Sequence, residues 1–316
     1  MNKGSISRRL FLAALGGQVT SGANRPERSM VLQAHSKGAL DSSGALKEDC
    51  AERMIESVFA QFEEATRLFG PDERVALKLN CLAGSGLSPK PPLVWALCRK
   101  LVSLGVKPGN IVLWDRSNRE LQRAGYDIQT ESKDFRVFGT DALDPGYESE
   151  PFVHRSVGSC YSRILTRFAT IVIGIGVLKD HDLSGVSAGM KNFFGAIHNP
   201  NKYHDNRCDP YIADLCSQPL LKDKWRLSLV DATHAQFHGG PALNPAYRWA
   251  ESSLLAGLDP VAVDAVGWRR IEEKRKEAGM KSLEDENRAP VWLNTADTLG
   301  LGNAREDRIE LVRIEV

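Results

Sequence analysis

Between Lys179 and Asp205 the chain concentrates side chains that could hold and protonate a small anion. Lys179-Asp180-His181 is followed by Gly185-Val-Ser-Ala-Gly189, then by Lys191-Asn192-Phe193-Phe194-Gly195, and finally by His198, Lys202, His204 and Asp205. Lysine ammonium groups and an asparagine amide can bind and polarise a carboxylate or phosphate, and a histidine can move a proton. Glycine and serine ahead of a short helix can add backbone N–H groups to such a cradle. The glycine spacing is one residue short of a nucleotide-binding phosphate loop, and Asn192 stands where that loop needs Ser or Thr. A small carboxylate or phosphate is therefore the expected ligand.

His181, His198 and His204 also form a candidate set for a divalent metal, though their intervals are irregular. His234 and His238 have the four-residue interval of a helical zinc pair. They lack the glutamate of that motif and run into Gly239-Gly240-Pro241, so they read as loop residues. None of the six cysteines forms a Cys-x-x-Cys pair, so no iron–sulfur segment is encoded locally. The cofactor stays unassigned, with a divalent metal as the candidate.

These residues need elements to position them. Continuous apolar runs at Val75–Leu79, Ile111–Trp114, Ile171–Leu178 and 227–230 read as strands covered on both faces. Helical spacing marks Ile55 to Phe69, Leu93 to Leu104, and a helix opened by Asp259-Pro260 whose charged end, residues 272–277, is expected in solvent. The alternation predicts an α/β fold: a mixed, largely parallel sheet with helices on both faces. The irregular stretch 130–162 is a candidate small second lobe, and residues 308–316 a closing edge strand.

Each strand run ends in polar residues: Lys78 and Asn80, Asp115, Lys179 and His181, and Asp231. In open parallel sheets ligands bind beyond the carboxyl ends of the strands. If the ends converge, His181, Lys191 and Asp231 are the candidate catalytic groups. Lys78, Asn80, Asp115, Lys179, Asn192 and Asp264 are the candidates for binding, Asp264 reaching in from the last long helix.

Composition narrows the partners. With 41 Lys+Arg against 40 Asp+Glu the chain has a net charge of +1, which argues against a nucleic-acid partner. The apolar runs are too short to span a bilayer, so no transmembrane segment is expected. At the N-terminus, Arg8-Arg9-Leu10-Phe11-Leu12 leads through a short apolar stretch to Ser21-Gly22-Ala23. This resembles a twin-arginine export signal, which implies the export machinery as a partner and a periplasmic or otherwise extracytoplasmic location; the alternative is a cytoplasmic protein. The expected division is a signal over residues 1–23, a disordered or linker segment over 24–45, and one α/β domain over 46–316.

The order Lys78-Leu-Asn80, Lys179-Asp-His181, Gly189-Met-Lys191-Asn192-Phe-Phe-Gly195, Val230-Asp231, Gly239-Gly240-Pro241 and Asp259-Pro-Val-Ala-Val-Asp264 resembles the family called domain of unknown function 362, or DUF362. The resemblance implies an α/β fold and supplies positions rather than a reaction. Many members append a ferredoxin-type segment, which this chain lacks. Two readings follow. One is an enzyme acting on a small anionic substrate by proton transfer or metal-assisted chemistry. The other is a non-catalytic metal- or cofactor-binding accessory protein for a redox partner.

Overall fold

Residues 75–79 alternate their contacts between two cores, and that alternation shows how the sheet is buried. Val75, Leu77 and Leu79 pack into one core, while Ala76 belongs to the other, on the face to which Lys78 also points. The computed structural model describes residues 27–316. The eleven strands among them are β1 (Ser29–His35), β2 (Val75–Leu79), β3 (Ile111–Trp114), β4 (Arg136–Val137), β5 (Phe152–His154), β6 (Val157–Ser159), β7 (Ile171–His181), β8 (Gly185–Ser187), β9 (Trp225–Gln236), β10 (Arg248–Gly257) and β11 (Ile309–Glu315). The helices that matter here are α1 (Glu48–Gln61), α2 (Pro91–Ser103), α3 (Asn118–Arg123), α4 (Tyr211–Ser217), α5 (Pro260–Glu277) and α6 (Trp292–Thr298).

The main sheet runs β11-β1-β10-β9-β7-β2-β3-β4, with β8 folded back on β7. Only β10 and β8 run antiparallel to their neighbours. The fold is therefore α/β with a mixed, mostly parallel sheet. Helices α1 and α2 cover one face, and α4, α5 and α6 build the core on the other. Strands buried on both faces need apolar residues at every position, which is why these runs show no alternation in sequence. No helix among the described residues is long and apolar enough to cross a membrane.

Two expectations change. Residues 29–35, expected within a linker, form β1, which lies inside the sheet between β10 and β11. Val31, Leu32 and Ala34 are fully buried there; a seven-residue strand flanked by polar residues carries too short a signal to separate from a leader. The proposed signal over 1–23 lies outside the described residues. The charged end of α5 does not run wholly into solvent: Arg275 is fully buried, pairing with Glu286 at 2.8 Å and donating to the carbonyls of Lys281 and Phe237. In the irregular stretch 130–162, β5 and β6 form a separate two-stranded sheet.

Candidate functional site

Beyond the carboxyl ends of β2, β3 and β7 lies a cleft of about 340 Å³. Its floor is a buried ion pair. Lys78, 1% exposed, donates to Asp115 at 2.5 Å, to the Leu79 carbonyl at 2.6 Å and to Asn192 Oδ1 at 3.0 Å. Asn192 returns its amide to the carbonyls of Lys78 and Ile175. Asp115 also accepts the amides of Cys81 and Arg116. All three Lys78 donors are thus used, and the group acts as a rivet joining β2, β3 and the Asn192 segment.

That segment, a 3₁₀ turn over Lys191–Ala196, sits very close to the sheet. Gly176 permits the approach: a Cβ there would lie 2.1 Å from the Ala188 carbonyl. Gly195 faces the rivet itself, where a Cβ would come within 2.7 Å of Lys78 Nζ. Before the turn, the Gly189 and Met190 amides donate to Asp264 at 2.7 and 2.9 Å. The glycine-bearing segment does cradle an anion, but that anion is the protein's own carboxylate. Burial pushes Asp264 up to about 7 against the lowering effect of these two amides.

Two further lysines reach the cleft, and among the described residues neither is bonded to a carboxylate. Lys179, 1% exposed, has one hydrogen bond, to Asn80 Oδ1 at 3.3 Å. Lys191 donates to His204 Nε2 at 3.0 Å and lies 4.7 Å over the Phe194 ring. Burial lowers both to about 8, and for Lys179 the nearby Lys191 charge adds to the effect. The histidines beside them are neutral. His204 Nδ1 lies 3.0 Å from the Pro200 carbonyl, which assigns the proton to Nδ1 and leaves Nε2 to accept from Lys191. His181 Nδ1 accepts the Leu183 and Ser184 amides, so its proton sits on Nε2. The Asp182 carboxylate, 3.0 Å from that same Nδ1, shares the Leu183 amide and does not pair with a charged ring. Burial first, and then the lysine charges, push His181 down to about 2.

The cleft therefore gathers Lys78, Asn80, Asp115, Lys179, His181, Lys191, Asn192 and His204 from the expected set. Three residues fall elsewhere. Asp231 projects from β9 toward the opposite core from Lys78, where it accepts the Lys90 amide at the start of α2 and both donors of Thr233. Asp264 braces the Gly189 turn from behind. His198 is exposed and packs edge-on against Tyr147, 5.4 Å between ring centres. The metal set therefore fails to assemble: both His204 nitrogens and His181 Nδ1 are already engaged, leaving one free imidazole nitrogen. Among the described residues no cluster of three or more His, Cys, Asp or Glu side chains is arranged to hold a metal ion. His234 lies within β9, not in a loop, and His238 follows the strand beside Tyr247, apart from the cleft.

Sequence reasoning missed Arg116, Glu120 and the cleft's apolar rim, where Leu82 and Leu183 are 57% and 46% exposed. Arg116 could have been found, because it directly follows Asp115 at the end of β3. Leu82 and Leu183 carry no such signal.

The family comparison shows lineage, and none of the comparisons shows an activity. The family model described as domain of unknown function (DUF362) matches residues 75–269. No curated protein matches the chain. A crystal structure of a protein from Thermotoga maritima, a structural genomics target, is similar at 12% identity and a TM-score of 0.43, over 73% of this chain and 59% of that one. The present chain thus spans less than two thirds of that protein's length. With its match over more than half its length, the chain belongs to the DUF362 family.

Proposed function

We propose that this DUF362 protein is an enzyme that binds a small carboxylate or phosphate in the cleft and moves a proton on it. One observation carries the reading: the ammonium groups of Lys179 and Lys191 are buried in the same cleft, and among the described residues no carboxylate is bonded to either. Burying a charge without a partner is costly, and an anionic ligand between the two would relieve that cost. His181 adds a neutral Nε2–H donor, while its occupied Nδ1 removes it as a base. The proton-accepting role falls to the lysine amines, which burial places near the pH at which a base can exchange protons. Metal-assisted chemistry lacks a ligand set: both His204 nitrogens and His181 Nδ1 are engaged within the protein, and His198 lies apart, against Tyr147.

The test is solvent exchange at carbon. Short 2-hydroxy and 2-oxo carboxylates are incubated with the protein in deuterated water, and loss of the α-proton signal is followed by NMR. Exchange that disappears in Lys179→Met and Lys191→Met is the expected result. Absence of exchange, together with no thermal stabilisation by acetate or phosphate, would overturn the proposal.

The Arg8-Arg9 segment supports an extracytoplasmic location reached by the twin-arginine route. Cell fractionation should find the protein outside the inner membrane, and Arg8→Lys/Arg9→Lys should hold it inside. Equal distribution of the two forms would remove this reading.

A further inference from the structure

The two ammonium groups of the cleft are not equivalent. Lys179 has only the Asn80 amide oxygen, a weak acceptor at 3.3 Å. Lys191 has an imidazole nitrogen at 3.0 Å, and the far side of that ring is fixed by the Pro200 carbonyl, also at 3.0 Å. Amine, base and base-orienting group in series is the arrangement that activates a nucleophile. A lysine that only held an anion would gain nothing from an oriented base, because accepting its proton would remove the charge that does the holding. The Phe194 face beneath Nζ adds an apolar wall. Lys179 stands in the same cleft with its charge free for a second group of the ligand.

We propose that Lys191 is a nucleophile that forms an imine with the carbonyl carbon of a small oxo acid, whose carboxylate is held by Lys179. This deepens the function proposed above and rests on it, since the oxo acid is the anion of that reading. The step balances without an oxidant or reductant. His204 Nε2 takes one proton from the Lys191 ammonium. The freed amine attacks the carbonyl carbon; a C–N bond forms, and the π pair of C=O moves to oxygen. A proton shifts from nitrogen to that oxygen, giving a carbinolamine. His204 returns its borrowed proton to the hydroxyl, which leaves as water, and the nitrogen lone pair closes the protonated C=N bond. Ammonium plus carbonyl has become iminium plus water. Burial, which holds Lys191 near 8, supplies a fraction of free amine at neutral pH.

The experiment is reductive trapping on the full chain, with glyoxylate and pyruvate as probes and cyanoborohydride as reductant, followed by peptide mass mapping. The expected result is one saturable adduct per chain, on the Lys191 peptide, competed by acetate and lost in Lys191→Arg. Adducts spread over exposed lysines such as Lys37 and Lys281 with no preference for Lys191 would overturn the proposal. If Lys191→Arg does not fold, the wild-type protein still decides. Trapping at Lys191 should reach half its maximum near pH 8, and a profile coincident with that of free Nα-acetyl-lysine would overturn it. Thermal stabilisation by acetate and phosphate separates the two proposals: stabilisation without trapping defeats the imine alone, and neither effect defeats both.

Discussion

Asp264 holds Gly189 from behind the site, accepting its amide at 2.7 Å while its second oxygen takes the amide of Met190 at 2.9 Å. A buried carboxylate on α5 thus sets the backbone that carries Lys191 and Asn192 into the cleft. Removing it as Asp264→Ala orphans two buried amides, at about 1–3 kcal/mol each, so a loss of about 2–6 kcal/mol is expected in urea denaturation. The pH dependence has a definite sign. Because the folded-state value is raised from 3.8 to about 7, folded protein retains a proton over that range that unfolded chain releases. Its contribution to stability therefore falls as pH rises across the range, and Asp264→Ala should lack that component.

Lys78 and Asp115 form the pair whose breakage should be most damaging. Either Lys78→Met or Asp115→Leu alone leaves a buried charge without its partner, at a cost of about 3–5 kcal/mol. The double substitution should cost clearly less than the sum of the two, a coupling that a double-mutant cycle reads directly. Additive losses would show that the pair is not the rivet described here.

Binding of acetate or phosphate should weaken as pH rises through about 8, where Lys179 and Lys191 lose their charges. The lysines affect folding in the other direction. Their folded-state values lie below 10.5, so unfolded chain holds more protons between about 8 and 10.5, and the stability of the empty protein gains from these groups as pH rises there. Calorimetric titration and denaturation across that range should therefore move oppositely.

His198→Ala should leave both anion binding and stability almost unchanged, within about 0.5 kcal/mol, as for exposed side chains generally. The same change at His204 should weaken binding and alter the pH profile of Lys191. Equal effects at the two positions in the binding titration would contradict the geometry.

A chain beginning at Asn24 should fold, and one beginning at Ser36 should not. The shorter chain lacks Val31, Leu32 and Ala34, all fully buried, and exposes the facing edges of β10 and β11. Far-ultraviolet circular dichroism and thermal melting of the two chains make the comparison.

Much of this site was legible because parallel strands advertise themselves. The apolar runs of β2, β3 and β7 end where charged residues begin, and the open-sheet rule then places Lys78, Asp115, Lys179 and His181 together. Asp231 failed the same rule for a geometric reason. β9 continues five residues beyond it, to Gln236, so Asp231 is within the strand rather than at its end, and strand alternation turns it to the opposite core. The anion cradle at Gly189 was legible as a set of amides, but their partner lies 75 residues away on another helix and could not be read locally. The histidines illustrate the same limit. Three histidines close in sequence, at irregular intervals, were candidate ligands, and only side-chain direction shows that His204 faces Lys191 while His198 faces outward.

The place of β1 bears on how the molecule comes into being. β1, the first strand among the described residues, finds its partners only in residues 248–257 and 309–315. The apolar strand β1 therefore stays unpaired until residues 248–257 have been made, and its second partner follows only at 309–315. Such non-local pairing is slow and leaves an aggregation-prone edge in the interim. Pairing of β1 is thereby a late event, and any factor that shelters the N-terminal segment during translation also delays premature pairing of β1.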